Sequence, residues 1–270
     1  MSAIFKQTRF AAVAILGLTL LADKGFAAPK SPIGGGSYQD IIVGGDLAQK
    51  GYVPCAVRYE LIRPILDLYE NKFTVLDVGA LEGYFSLKIA QDYGAFCTMV
   101  EGGSSDQKGK LYSYAQDNLL TICKHNPQLN NIEMLAHRLT VPSLTKMAEQ
   151  EHFDVVLAFL VVHLMASDDK GHISEDKVRE FVDIFLSMGN DVIIETSTDC
   201  YLFVDTIVQE ICKEKNGRYL GELPRVRNYK RPTRGRFYWF SQSDDRNGSN
   251  DVHGVSAETF VEFNGIYPQK

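Results

Sequence analysis

The chain has 270 residues, 45% of them hydrophobic and 23% charged, which is the composition of a soluble globular protein with enough length for one large domain. A net charge of -6 excludes a generally basic nucleic-acid coat and leaves only a local patch for contact with polyanions. The five cysteines, Cys55, Cys97, Cys123, Cys200 and Cys212, show no CxxC or Cys/His spacing, so no zinc site or other metal site is read from them. Export would permit one or two disulfides, with pairing left open.

At the N-terminus, Lys6 and Arg9 precede an uncharged, mostly apolar run from Phe10 to Ala22, and Gly25-Phe26-Ala27-Ala28 follows with small residues. This is the layout of a secretory signal. The run is shorter than the roughly 20 residues a spanning helix needs. Residues 1–28 are therefore expected to be a signal peptide, or else an apolar extension that packs on the domain or tethers it to a membrane through residues 10–22. A cleaved signal would export the protein, and an uncleaved anchor would leave the domain on the cytoplasmic face. Residues 29–54 are rich in Gly, Ser and Pro, with Gly34-Gly35-Gly36 and Gly44-Gly45, and are expected to form a linker and an irregular, lid-like lead-in.

The domain is expected over residues 55–243. Arg58 to Asn71 carries Leu61, Ile62, Ile65, Leu66 and Leu68 near helical spacing, interrupted by Pro64, which predicts a helix kinked or started at the proline. Strand-length apolar runs follow at Phe73–Val78, Phe96–Glu101, Ile132–Ala136, Phe153–Phe159 and Asp191–Thr196. Amphipathic stretches at 84–92, 107–124, 143–150, 175–188 and 201–216 alternate with them. That alternation is what a parallel sheet covered by helices requires. The polar, turn-rich Arg225–Arg236 leads into Phe237-Tyr238-Trp239-Phe240, predicting a terminal antiparallel pair. The expected fold is α/β: a three-layer α/β/α sandwich around a mostly parallel sheet of about seven strands. The tail, 244–270, is polar through Gly254, with one more strand expected at Thr259–Phe263.

Ligands of open α/β sheets bind beyond the carboxyl ends of the strands, where strand order reverses. The first strand runs into a tight turn through Gly79 and Gly83 and then into a helix starting at Tyr84. The site candidates in this turn are Asp77, Gly79, Ala80, Glu82 and Gly83. Glu101, ending the second strand, stands where an acidic residue accepts hydrogen bonds from ribose hydroxyls. The G-x-G-x-x-G pattern of a dinucleotide site is missing, because Leu81 occupies the place of a central glycine. The carboxylate of Asp77 would repel a pyrophosphate but help hold a cationic ligand that bears an amino acid. S-adenosylmethionine (SAM) is thereby favoured over NAD as cofactor.

The run from Val75 to Ser86, VLDVGALEGYFS, followed by a strand ending in Val100-Glu101-Gly102, resembles motifs I and II of the class I SAM-dependent methyltransferases. The resemblance extends over about residues 55–241. It implies a sheet with a reversed last strand, Gly79, Ala80 and Gly83 under the methionine portion of SAM with Asp77 nearby, and Glu101 on the ribose. Where that family commonly has an acidic residue near the adenine, this chain has Ala136-His137-Arg138.

His163 is the titratable group at the end of the fourth strand and is the candidate catalytic base; the plain alternative is a histidine closing an apolar helix turn. The Asn-Pro-Pro-Tyr type of sequence that amino-group-methylating members of that family carry here is absent, as is a clear metal-binding carboxylate, so the resemblance implies an oxygen or other unactivated nucleophile as acceptor. Glu195, ending the fifth strand, is either a site residue or a solvated carboxylate. Arg58 either pairs with the methionine carboxylate or lies on a helix surface. Arg225, Arg227, Lys230, Arg231, Arg234 and Arg236 place six cations in twelve residues around Tyr229. Arg231 and Arg234 are the substrate-binding candidates, for a phosphorylated, nucleotide-type or acidic glycan small molecule, with a solvated hairpin as the alternative. No nucleic-acid partner is indicated. The expected function is methyl transfer to an anionic substrate; the alternative is a non-catalytic binding protein on a methyltransferase scaffold that recognises an acidic partner through residues 225–236.

Overall fold

The computed structural model describes residues 31–34, 36–70, 72–102, 113–136, 140–168, 170–198, 201–224 and 234–243. The signal-like segment, His137, Arg138, Cys200, residues 225–233 and the strand expected at 259–263 lie outside the described residues.

The lead-in departs from the irregular segment expected for it. Strands β1 (Ile41–Val43) and β2 (Asp46–Gln49) pair antiparallel. Gly44 and Gly45 between them have φ of +62° and +96°, the two left-handed positions that a two-residue hairpin loop requires. That glycine pair was the available signal. Helix α1 (Cys55–Leu66) begins ahead of the predicted start and runs through Pro64 in its last turn, so it is not started at the proline, which withholds one i→i−4 hydrogen bond.

The alternation after α1 is the one the apolar runs predict. In chain order come β3 (Thr74–Val78), α2 (Tyr84–Tyr93), β4 (Phe96–Val100), α3 (Ser113–Lys124) and β5 (Ile132–Leu135). Then follow α4 (Val141–Gln150), β6 (Phe153–Phe159), the short α5 (Val162–Met165), α6 (Glu175–Met188), β7 (Gly189–Ser197), α7 (Leu202–Glu214), β8 (Arg218–Pro224) and β9 (Arg234–Ser241). Seven strands form one sheet in the order β5-β4-β3-β6-β7-β9-β8. β9 is antiparallel to both neighbours and is the reversed last strand that the resemblance implied. The remaining pairings, from β5 to β7, are parallel.

Because side chains alternate across a strand, each strand feeds both layers. Leu76, Val78, Val156, Ala158, Val192, Ile194 and Tyr238 pack with α6 and α7 on one face. Val75, Cys97, Val155, Leu157, Ile193, Phe237 and Trp239 pack with α1 and α2 on the other. The chain leaves β3 for β4 on one side and later returns to β6 on the other, so strand order reverses between β3 and β6. The carboxyl ends of these two strands therefore frame the crevice where a ligand is expected.

Candidate functional site

The turn between β3 and α2 lies at that crevice. The N–H groups of Gly79 and Ala80 both donate to the Val100 carbonyl, at 2.8 and 3.3 Å, and Gly83 N–H donates to the Ala80 carbonyl at 2.8 Å. Gly79 and Gly83 have φ of +74° and +73°. A Cβ at Gly79 would come within 3.3 Å of Val161 Cγ2, and one at Gly83 within 2.7 Å of Leu119 Cδ1. Both positions therefore favour glycine for conformation, and an added Cβ would also press on these side-chain ends. Leu81, at φ +51°, adopts the same left-handed region at a cost of about 1–2 kcal/mol. Such a residue persists when its surroundings over-determine it. Here its N–H donates to Glu101 Oε2 at 2.9 Å.

Three buried carboxyls surround the turn. Glu101 is 3% exposed, and burial pushes it up to about 7, opposed by the Leu81 N–H and reinforced by the charges of Asp77 and Glu82. Its Oε1 accepts no hydrogen bond among the described residues. A buried acceptor in that condition calls for a donor, and ribose hydroxyls are donors of the right kind. Asp77 is raised by burial to about 6, opposed by Ser86, whose hydroxyl donates to Asp77 Oδ2 at 2.7 Å. Glu82 is also raised by burial, against the N–H groups of Tyr38 and Gln39 that donate to its two oxygens. Glu82 thus faces the lead-in. Where ionised, three carboxyls gathered at one turn favour a cationic ligand and oppose a pyrophosphate.

The second wall follows β6. Leu160 has φ +56° and donates its N–H to the Glu195 carbonyl at 2.9 Å. His163 sits in α5, a single helical turn, so the helix-turn reading describes its backbone. Its ring is buried and stacked on Tyr201, centroids 3.7 Å apart and planes 21° apart. Tyr201, which no sequence pattern singled out, precedes α7 at the carboxyl end of β7.

Arg58 and Glu195 require correction. Neither is at the surface: Arg58 Nη2 lies 2.8 Å from Glu195 Oε1, with both side chains 1% exposed. Arg58 Nε donates to both carboxylate oxygens at 3.2 Å, and Nη1 donates to the Pro54 and Pro224 carbonyls. The guanidinium is thus committed to protein partners. At the other end of the basic run, Arg234 is 56% exposed and bonds Glu222 at 2.8 Å. Arg236 bonds both Glu222 and the buried Asp205. Arg231 lies outside the described residues.

Cys97, Cys123 and Cys212 are free thiols, and Cys55 Sγ accepts the Asp40 N–H at 3.4 Å. Among the described residues there is no group of three or more His, Cys, Asp or Glu placed to hold a metal. None of their helices is long and apolar enough to cross a membrane.

No protein-family profile and no curated protein matches this chain. Solved structures do. The bifunctional kinase-methyltransferase WbdD superposes with a TM-score of 0.53 at 18% identity, over 83% of this chain and 46% of that one. Another WbdD structure gives 0.52 at 19% identity, over 73% and 36%. The magnesium protoporphyrin IX methyltransferase ChlM from Synechocystis PCC 6803, solved with bound SAM, gives 0.47 at 13% identity over 69% and 79%. This chain spans less than half the length of WbdD. Its fold is that of the class I SAM-dependent methyltransferases.

Proposed function

We propose that this protein is a SAM-dependent methyltransferase that methylates an oxygen of an unidentified anionic small molecule. The observation that carries the reading is the Gly79–Gly83 turn at the strand-order reversal, with buried Glu101 bonded among the described residues to Leu81 N–H through one oxygen. In this reading Glu101 accepts hydrogen bonds from the ribose. The backbone of Gly79, Ala80 and Gly83 lies under the methionine portion. Asp77, with the field of Glu82, favours the cofactor's positive groups over a pyrophosphate. SAM, when bound, supplies an electrophilic methyl group. The chain's own residues then position the acceptor and manage its proton. His163, held against Tyr201 at the neighbouring strand end, takes up the proton of the acceptor hydroxyl. Arg231 and Arg234 hold the acceptor's anionic group, for which guanidinium forks are suited. The Arg234–Glu222 pair is exposed, and pairs of that kind contribute only about 0–1 kcal/mol, so it can yield to a substrate.

The test is calorimetric titration of the full chain with SAM and with NAD. SAM binds, NAD does not, and Glu101→Ala or Asp77→Ala abolishes the SAM signal. Absence of any SAM heat at about millimolar ligand, the weak end of the affinity scale, overturns the reading. SAM is made in the cytosol, so the proposal also assigns residues 10–22 the role of an uncleaved tether that keeps the domain on the cytoplasmic face. N-terminal sequencing of the mature protein checks this, and a start near Ala28 in an exported fraction would refute it.

A further inference from the structure

The glycine turn is bonded to a segment more than forty residues upstream. Glu82 Oε1 accepts the Tyr38 N–H at 2.9 Å and Oε2 accepts the Gln39 N–H at 3.0 Å. In return, Gln39 Oε1 accepts the N–H of Tyr84, the first residue of α2, at 3.0 Å. The N-cap of that helix is Gly83, which has no side chain to supply. An orphan donor of the first turn, normally met by the N-cap residue itself, is here met from the lead-in. Both Glu82 and Gln39 are buried.

The lead-in is itself anchored at several points. Asn126 Oδ1 accepts Gly44 N–H, and Asn126 Nδ2 donates to the Ile42 carbonyl, both at 2.9 Å. Ile41 packs with Leu87 of α2 and Ile122 of α3. Asp40 Oδ1 accepts Gly51 N–H at 2.8 Å. A Cβ at Gly51 would lie 2.1 Å from the Gln39 carbonyl oxygen, so the chain returns closely over the residue that caps α2.

Leu81 lies immediately before Glu82 in the turn and is left-handed without being glycine. Its N–H is directed at Glu101, and the next side chain is fastened to the lead-in. We propose that Glu82 and Gln39 are positioning residues: the lead-in, residues 37–54, is a strap that holds Leu81 left-handed and so sets the turn in the shape that receives the cofactor. This rests on the reading of the turn as a SAM site. A strained residue held by its surroundings relaxes when those surroundings are cut, whereas glycine adopts the same conformation unaided.

The experiment is a double-mutant cycle on the full chain, read by amide hydrogen exchange and by SAM titration. Glu82→Gln is expected to speed exchange at the Leu81 and Tyr84 amides by at least about tenfold while leaving the amides of β6 and β7 unchanged. It is expected to weaken SAM binding by about tenfold, and by less than about threefold in the Leu81→Gly background. Equal losses in the two backgrounds, or unchanged exchange at Leu81, overturn the strap. Should Glu82→Gln fail to fold, Gln39→Ala answers instead, with faster exchange at Tyr84 and Leu81 supporting the strap and unchanged Leu81 refuting it. If the wild-type chain does not bind SAM, the methyltransferase reading fails, and the exchange arm still decides the strap because it needs no ligand.

Discussion

Burial raises the Glu101 carboxyl from the ordinary 4.5 to about 7, so the group that would bind a ribose also destabilises the empty site. The sign follows from proton counting. Between those two values the native group is protonated and the unfolded one ionised, so the unfolded state binds fewer protons and stability falls as pH rises through the window. At one pKa unit per 1.36 kcal/mol, the loss above about pH 7 is on the order of 3 kcal/mol. Glu101→Gln keeps an acceptor for Leu81 N–H and removes the charge. The ligand-free variant is therefore expected to gain on the order of 2–3 kcal/mol at about pH 8 and nothing at about pH 4. Urea unfolding at the two pH values measures it, and no gain at the higher pH would show that the carboxylate is not held at a cost. A stabilising substitution that also weakens ligand binding is the pattern of a functional group kept in an unfavourable place.

At the scale of elements, the Arg58–Glu195 pair joins α1 to β7, and through the Pro224 carbonyl to the end of β8. Its energetics follow from burial: removing one partner strands a charge, whereas replacing both with apolar groups does not. Arg58→Met alone is expected to cost about 3–5 kcal/mol, and Arg58→Met with Glu195→Leu much less. Thermal unfolding of the two variants checks this, and a single substitution as mild as the double would mean that the pair is not isolated from water. The pair also marks what could be read from the chain. The apolar run Phe153–Phe159 and the amphipathic stretch Glu175–Met188 gave their element boundaries directly, because periodicity is local. Arg58 and Glu195 are 137 positions apart, and nothing local distinguishes a buried arginine from a surface one. The β1–β2 hairpin carried a local signal in Gly44-Gly45 but none in its strands. Its short strands gain their burial from Leu87, Ile122 and Asn126, all far along the chain. The places of the glycines, Asp77 and Glu101 at one turn were legible because backbone conformation and strand ends are local. The partner of Glu82 was not.

At the scale of the whole molecule, a shared fold leaves function undecided, and a likeness at 18% identity that covers 46% of the other chain supplies only the fold. In the proposed reading, what would turn this scaffold into a binding site is the set of carboxyls it gathers where strand order reverses. A cationic ligand with hydroxyl donors binds the ionised form of Glu101, so binding must lower the pKa from about 7 and release a proton wherever the free group is protonated. SAM affinity is therefore expected to fall about tenfold from pH 8 to pH 6, the proportion in which the ionised fraction falls. Below that, Asp77, raised by burial to about 6, steepens the decline beyond one proton. Calorimetry at pH 6 in two buffers of different ionisation enthalpy measures the released proton directly. A flat profile, with no buffer dependence, would mean that the ligand does not meet these carboxylates, and the turn would then be only a connection between β3 and α2.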